Sequence, residues 1–281
     1  MIKIGFIDYY LDEWHANNYP NWIKEAAGEE MQVAFAYGEI DHPSGGLTNK
    51  AWAEKNGITL CDSIDEVIEK SDVLCVLAPD NPETHERLSE KALKSGKITY
   101  IDKTFAPDLA TAKRIFALAD EYKTPAMTTS ALRYADEYAE LDSDNLDSAV
   151  SIGGGEPDVY VIHQIEPTVM LFGTDAVRVM NTATVHSPVY TVEFKSGKKV
   201  NMVCSKAYCS FMMTFNFKDG SNKFVTVKSD FFKNFIKNLI EFYKTGEVTI
   251  PHEQTLAVMA IREAVVKARN NPDTWVNVEE F

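Results

Sequence analysis

Apolar runs alternate with amphipathic stretches along the first 130 residues of the chain. The apolar runs predict strands, because a strand that is covered on both faces of a sheet is apolar throughout. The stretches between them predict helices, since apolar residues recur at i, i+3 and i+4, as at Ile64, Val67 and Ile68. The predicted strands are residues 2–7, 31–37, 71–77, 98–101 and 126–129. The predicted helices end at residue 27 or cover residues 50–56, 64–70, 82–94 and 107–122. Strands spaced by helices predict a parallel, doubly wound sheet.

The second half of the chain has a different pattern. Residues 189–194, 199–205, 210–217 and 223–228 alternate apolar and polar side chains, which predicts antiparallel strands. Ser196-Gly197 and Asp219-Gly220 supply turns between them. Helices are predicted over residues 231–245 and 254–270. The fold class is therefore α/β. A Rossmann-like doubly wound domain over residues 1–130 precedes an α+β domain with a large open, mainly antiparallel sheet over residues 131–281, whose closing helices can pack back on the first domain.

Composition and charge narrow the classes of function. The formal net charge of −14 over 281 residues argues against nucleic acid or an anionic membrane as the partner. No apolar run reaches the roughly 18 residues that span a bilayer, and the first residues read as a strand rather than a signal peptide. The four cysteines have no metal-ligand spacing, which favours reduced and mostly buried thiols over a zinc or redox site. We expect a cytoplasmic protein that acts on a small molecule.

One stretch resembles a known family. Residues 71–133 contain a strand followed by Ala-Pro-x-Asn, an early helical histidine, Ala-Leu-x-x-Gly-Lys and Asp-Lys-Thr. These pieces are Ala78-Pro79, Asn81, His85, Ala92-Leu93, Gly96-Lys97 and Asp102-Lys103-Thr104. The segment YVIHQIEPTVMLFG at residues 160–173 and the two closing helices add to the likeness. With gaps, nearly the whole chain resembles the glucose–fructose oxidoreductase, inositol dehydrogenase and rhizopine-catabolism (Gfo/Idh/MocA) family.

The resemblance implies a function and a set of site residues. Family members hold NAD or NADP on the first domain and a sugar, polyol or related compound against the sheet of the second, and they transfer a hydride between the two. They commonly pair through that second sheet, which implies a homo-oligomer, a dimer or tetramer. The implied catalytic residues are Lys103 and His163. The implied cofactor-binding residues are Gly5, Ile7, Ala78, Pro79, Asn81, His85 and Asp102. The implied substrate-binding residues are Arg133, Tyr160 and Glu166.

The chemistry of Lys103 and His163 suits these roles. Lys103 follows a predicted strand at its carboxyl end, where open α/β sheets bind ligands, and its charge favours a developing alkoxide. A histidine titrates near neutrality and can take a hydroxyl proton. The alternatives are a solvated surface lysine and a histidine buried behind the sheet. His163 and Glu166 share a helix face, but the sequence shows no third metal ligand, so we expect no metal.

Several departures from the family pattern bear on the cofactor. The expected Gly-x-Gly-x-x-Gly is replaced by Asp8-Tyr9-Tyr10-Leu11-Asp12-Glu13, in which Tyr10 would crowd a pyrophosphate and three acids would repel it. The second strand ends in Tyr37-Gly38, and the acid expected there is displaced to Glu39. We therefore predict weak or absent dinucleotide affinity. The alternative function is a member without cofactor that serves as a ligand-binding or regulatory protein.

The second domain departs from the pattern too. Val159 stands where many members carry an aspartate before the histidine, so Asp158 or Glu166 is the expected orienting partner of His163. We expect Lys103 and His163 to serve one cleft with Arg133 and Tyr160. The strands also carry more apolar and aromatic side chains than one core face needs, which predicts that the sheet meets another subunit. Those side chains are Tyr190, Val192, Phe194, Phe211, Met213, Phe215 and Phe217.

Overall fold

The computed structural model describes residues 1–281, which form two units. One unit is Met1–Thr129 with Lys233–Pro251, and the other is Ser130–Phe232 with His252–Phe281. The first unit thus takes in a segment from late in the chain. No helix has both the length and the apolar character needed to cross a bilayer.

The first unit contains six strands and six helices. Its strands are β1 (Ile2–Asp8), β2 (Met31–Gly38), β3 (Thr59–Leu60), β4 (Val73–Val76), β5 (Thr99–Ile101) and β6 (Ala126–Met127). Its helices are α1 (Trp14–Ala27), α2 (Asn49–Asn56), α3 (Ile64–Lys70), α4 (His85–Lys94), α5 (Leu109–Glu121) and most of α8 (Phe231–Thr245). The predicted helix at 82–94 begins as a 3-10 turn, Pro82–Thr84, ahead of α4.

The first sheet has the order β3-β2-β1-β4-β5-β6, and its strands are parallel. This confirms the predicted doubly wound, Rossmann-like class. The strand order reverses direction between β1 and β4, because β2 and β3 lie on one side of β1 and β4 to β6 on the other. A ligand crevice opens at such a switch point, beyond the carboxyl ends of the strands.

Local sequence explains how these elements form. All four residues of β4 are buried, in keeping with its apolar sequence VLCV. Helix α3 begins after Ser63, whose hydroxyl accepts the Glu66 N–H at 3.2 Å, while the Glu66 carboxylate accepts the Asp62 N–H at 2.8 Å. Helix α8 joins this core because Phe235 is fully buried among aromatic rings and the Tyr243 hydroxyl donates to the Leu74 carbonyl at 3.1 Å.

The second unit contains a seven-stranded sheet and three helices. Its strands are β7 (Leu146–Gly154), β8 (Ala176–Asn181), β9 (Val189–Phe194), β10 (Lys199–Ser205), β11 (Met212–Phe217), β12 (Asn222–Thr226) and β13 (Trp275–Asn277). Its helices are α6 (Pro157–Tyr160), α7 (Ile162–Phe172) and α9 (His252–Arg269). Two 3-10 turns, Ala131–Tyr134 and Asp136–Tyr138, precede the sheet.

The second sheet has the order β12-β11-β7-β10-β9-β8-β13. Its pairs are antiparallel except β7 with β10, so the sheet is mixed and mainly antiparallel, as predicted. The apolar and aromatic side chains from which a subunit contact was predicted mostly belong to the core of this unit. Of these side chains, Tyr190, Val192, Phe194, Met213 and Phe215 are all buried within this one unit. Those buried side chains therefore give no support to an interface, because one core face takes up most of them, and the interface stays a prediction.

Candidate functional site

One candidate site, in the first unit, is the connection from β1 to α1. Glu13 caps α1: its carboxylate accepts the His15 N–H at 2.6 Å and forms a second, very short hydrogen bond with the Ala16 N–H. The side chain is buried, at 7% exposure for the residue. In a Rossmann domain these first-turn amides of α1 are the donors that meet a pyrophosphate. Here a carboxylate of the chain itself already satisfies them.

Two further carboxylates are buried near Glu13. Asp8 ends β1 and Asp102 follows β5, and both are almost completely buried. His15 links the group, with Nδ1 at 3.2 Å from Glu13 Oε2 and 3.6 Å from Asp102 Oδ2. The Tyr100 hydroxyl donates to Asp102 Oδ1 at 3.1 Å. One oxygen of Asp8 and one of Asp102 have no hydrogen-bond partner. We call Asp8, Glu13, His15 and Asp102 the acid cluster.

The acid cluster has a marked electrostatic consequence. Burial raises the pKa of Asp8 well above its usual range, and the charges of Glu13 and Asp102 raise it further. The Tyr9 N–H, which donates to Asp8 Oδ1 at 2.7 Å, opposes that rise but does not overcome it. Asp8 therefore holds its proton at a pH where an ordinary aspartate has lost it.

Asn49 links the β1–α1 connection to the segment after β2 through hydrogen bonds. The Asn49 side chain accepts the Leu11 N–H at 3.0 Å and donates to the carbonyls of Gly38 at 3.0 Å and Ile40 at 2.8 Å. Asp12 accepts the Leu47 N–H at 2.7 Å. The displaced acid Glu39 pairs with Arg87. The region that would meet an adenosine ribose is thus held together by the chain's own side chains.

The glycine predicted to bind the cofactor has a packing role instead. A Cβ on Gly5 would lie 2.3 Å from Ser71 Oγ and 2.4 Å from Val67 Cγ1, so this glycine lets the end of α3 approach β1. Ile7 is fully buried in the same strand. Both side-chain positions face the protein core, and the two assignments to cofactor binding stay predictions.

His85 is also a core residue. It is fully buried, and its Nδ1 lies 3.1 Å from the Phe105 carbonyl oxygen. Burial lowers its pKa, although the Phe105 carbonyl opposes the change. The contact fixes the segment after β5 against the start of α4, and the assignment of His85 to cofactor binding stays a prediction.

The segments after β4 and β5 keep their candidate status. Ala78 is buried and has a left-handed backbone with φ of 79°, Pro79 is buried, and the Asn81 amide donates to Glu83 at 3.0 Å. Lys103 is half-buried just past β5. The Lys103–Thr104 peptide bond is cis. Lys103 thus lies at the sheet edge where ligands bind.

A second candidate site, in the second unit, surrounds His163 at the start of α7. Its Nδ1 lies 2.8 Å from the Ser130 hydroxyl, which also accepts the Leu132 N–H at 3.3 Å. The rings of Tyr160 and Phe211 meet the imidazole edge-on, with centroids 5.5 and 5.9 Å away. When Nδ1–H donates to Ser130, Nε2 is the nitrogen that can accept a proton. A hydroxyl therefore orients this histidine at Nδ1.

The acids predicted to orient His163 have formed other ion pairs. Arg133 Nε lies 2.7 Å from Glu166 Oε1, with both side chains buried, and Arg133 also donates to Gln254 at 2.7 Å. Asp158 pairs with Arg269 at 2.5 Å. Arg133 and Glu166 therefore fix α7 to the Ser130 segment, and their assignment to substrate binding stays a prediction. Tyr160 remains open to a ligand, with 45% of its surface exposed.

Sequence reasoning missed Ser130 and the capping role of Glu13. Ser130 follows two threonines just after β6, and polar residues after a parallel strand mark its ligand-binding end. Glu13 stands directly before the helix, where an acid accepts first-turn N–H groups. Both signals are present in the sequence, although neither specifies a partner.

Comparison with known proteins identifies a family match over part of the chain. Residues 39–130 match the family model described as "Oxidoreductase family, NAD-binding Rossmann fold". The uncharacterized oxidoreductase YhhX of Escherichia coli (strain K12) is 37% identical over 62 residues, which are 22% of this chain and 18% of that protein. The matched segment is thus a small part of that curated relative.

Solved structures share the fold across both units. GenD2 from gentamicin A biosynthesis, solved in complex with NAD, superposes with a TM-score of 0.82 at 12% identity, over 99% of this chain and 97% of GenD2. A myo-inositol dehydrogenase from Corynebacterium glutamicum ATCC 13032 has a TM-score of 0.76 at 14% identity over 100% of both chains. The sequence match thus identifies a NAD-binding Rossmann domain of an oxidoreductase family over residues 39–130, and the solved structures show the fold of the whole chain. Residues 39–130 thus match the Gfo/Idh/MocA family model, and the whole chain shares its fold with a solved myo-inositol dehydrogenase.

The residues at α1 do not fit the pyrophosphate of NAD or NADP in this arrangement. The first-turn amides are taken by Glu13, and unpartnered oxygens of Asp8 and Asp102 are buried in the same cluster. The family match begins at residue 39, beyond this connection. The domain is therefore of the NAD-binding type, but its β1–α1 connection lacks the free amides that bind a pyrophosphate in such domains.

Proposed function

We propose that the chain is a divergent NAD(P)-dependent oxidoreductase that acts on a hydroxyl or carbonyl of a sugar, polyol or related small molecule. The observation that carries the proposal is Lys103 at the carboxyl end of β5, in a domain of the NAD-binding type. The likeness to a solved myo-inositol dehydrogenase supports a polyol as the substrate class.

The chain's own residues account for the proton in this chemistry. Oxidation of an alcohol removes a hydride and a proton, and the proton needs an acceptor. The Lys103 ammonium donates a hydrogen bond to the reacting hydroxyl and stabilises its alkoxide form. Neutral His163, held through Nδ1 by Ser130, accepts the proton at Nε2. The exposed Tyr160 hydroxyl contacts the substrate beside it.

A second candidate function rests on Glu13. Because its carboxylate takes the α1 amides, the chain is alternatively a ligand-binding or regulatory protein that retains the family fold without its cofactor. This candidate keeps the substrate-binding part around His163 and gives Lys103 a binding role only.

An assay of turnover separates the two candidates. Purified protein is incubated with inositols and aldoses and with NAD or NADP at millimolar concentration, and formation of the reduced nicotinamide is followed by absorbance. If the chain is an oxidoreductase, NAD or NADP is reduced only when one of these substrates is present. A thermal shift with a polyol, without reduction at saturating dinucleotide, would instead support the ligand-binding protein.

We also propose a homo-oligomer that forms through the second sheet. The support is an apolar row across four strands, in which Val189, Val203, Ile152 and Met212 are successive cross-strand partners. All four are half-buried, so the row lies on the sheet face opposite the buried core residues. A second copy of the chain would remove this row from water.

A further inference from the structure

We propose that Glu13 is an internal occupant of the pyrophosphate position, so that a dinucleotide binds the first domain only by displacing or neutralising this carboxylate. The proposal rests on the assignment of the β1–α1 connection as the dinucleotide site of the proposed function. It adds a specific residue as the competitor, and it predicts a gain of binding when that residue loses its charge.

The contacts of Glu13 are those that a bound phosphate would make. Its two carboxylate oxygens accept the N–H groups of His15 and Ala16 in the first turn of α1. An anion at a helix N-terminus is held by these donors and by the helix dipole. Since each donor is already engaged at short distance, a phosphate has to break these hydrogen bonds before it can form its own.

The surroundings of Glu13 add repulsion to this competition. Asp102 is buried and linked to Glu13 through His15, and its Oδ2 has no hydrogen-bond partner. Asp8 is buried in the same cluster, and Glu13 is among the charges that raise its pKa. A pyrophosphate at α1 would bring additional negative charge into this enclosed group of acids, where like charges repel more strongly than in water.

The connection is held in place by bonds to the rest of the domain. Asn49 accepts the Leu11 N–H, and Asp12 accepts the Leu47 N–H and a hydrogen bond from Asn17 at 3.0 Å. These hydrogen bonds fix the loop that ends at Glu13, so the carboxylate is held at the N-terminus of α1. The absence of glycine from residues 6–27 leaves the connection without the close backbone approach that a pyrophosphate requires.

The test is a calorimetric titration of NADH into the full-length protein and two variants. Glu13→Ser removes the charge and keeps a residue that is favoured as a helix N-cap. Asp108→Ser is the matched control, because Asp108 caps α5 in the same domain and accepts the Thr111 N–H at 2.7 Å. We expect Glu13→Ser to bind NADH roughly tenfold more tightly than the wild type, since a buried like charge is removed from the anion site. The control should bind like the wild type.

Three results would overturn the proposal. These are low-micromolar NADH binding by the wild type, equal affinities of the wild type and folded Glu13→Ser, and an equal gain in Asp108→Ser. Circular dichroism checks folding, and Glu13→Gln, which keeps the side-chain volume, replaces Glu13→Ser if the latter fails to fold. The readout is binding, so a tight-binding variant that turns over no polyol would count against the proposed function and not against this inference.

Discussion

At the scale of single residues, Asp8 is an acid whose ionisation is altered by its surroundings. Its pKa is raised by burial and by Glu13 and Asp102. A carboxyl with a raised pKa in the folded state binds its proton more tightly there than in the unfolded chain. Its contribution to stability is fully present below the unfolded value of 3.8 and is lost as the pH rises through the raised value.

Asp8→Asn should remove this dependence on pH. The amide keeps the shape of the protonated carboxyl and does not ionise, so the variant should gain stability over the wild type as the pH rises above the usual range of an aspartate. Urea unfolding of both proteins across acid to mildly alkaline pH measures the difference. Parallel curves of unfolding free energy against pH would contradict the assignment of Asp8 as a protonated buried acid.

Local sequence determined which site residues could be predicted. Lys103 was found because a short motif follows a predicted strand, and such local patterns survive divergence. The buried state of Gly5, Ile7 and His85 could not be found in this way, because burial depends on α3, α4 and the β5–α5 connection packing around them. A resemblance to a family predicts which residue types have a function. It does not predict the contacts of each side chain, because those depend on how this chain packs.

At the scale of elements, the sequence predicted the bounds of those helices and strands that local residues define. The predicted helices 64–70 and 231–245 and the strands 189–194 and 199–205 have the observed bounds. Capping residues, strong amphipathic patterns and Gly turns define them locally. Helix α1 was recognised only at its end, because Asn17, Asn18 and Pro20 are poor helix formers. The Glu13 cap and the hydrogen bond from Trp52 Nε1 to Asn17 at 2.8 Å stabilise the helix through the fold.

The strands that were missed depend on partners distant in sequence. Strand β7 contains Asp147 and ends in two glycines, yet it pairs with β10 and β11 in the middle of the sheet. Strand β13 has three residues and forms only against β8. A local pattern cannot reveal pairing of this kind, because the stabilising contacts come from elsewhere in the chain.

Glu137 ties a 3-10 turn to the segment before α8. Its Oε1 accepts the N–H groups of Lys228 at 2.7 Å and Ser229 at 2.9 Å, and its Oε2 accepts the Ser229 hydroxyl at 2.6 Å. Burial alone would raise the Glu137 pKa, but these hydrogen bonds outweigh it and lower the pKa to about 2. The stabilisation is present above the unfolded value of 4.5 and is lost as the pH falls toward the folded value.

Glu137→Gln should therefore destabilise the protein at neutral pH by roughly 1–2 kcal/mol, because the charge-assisted hydrogen bonds are weakened. The difference from the wild type should shrink in acid as the wild-type carboxylate becomes protonated. Glu140→Gln, at an exposed neighbouring acid, is the control and should change little. Chemical unfolding at neutral and acid pH measures the effect, and an unchanged midpoint in Glu137→Gln would refute it.

At the scale of the whole molecule, the apolar row of the second sheet leads to a prediction about assembly. The row consists of Val189, Val203, Ile152 and Met212, and a second copy would bury it. Sedimentation velocity at micromolar concentration should show a dimer or tetramer. Ile152→Lys should shift the distribution toward monomer, since it puts a charge in the centre of the row. A wild-type protein that sediments only as a monomer would rule out this interface.

The central claim is that the chain is an oxidoreductase in which Lys103 and His163 handle the proton of a reacting hydroxyl. Its most direct measurement is polyol-dependent turnover of the wild type, Lys103→Met and His163→Ala, with NAD or NADP at saturation. Lys94→Met is the control, since that surface lysine pairs with Glu90 on α4. The account predicts that Lys103→Met and His163→Ala lower turnover roughly a hundredfold while folding normally, as loss of an acid–base or electrostatic group does. Full activity in both variants would contradict it.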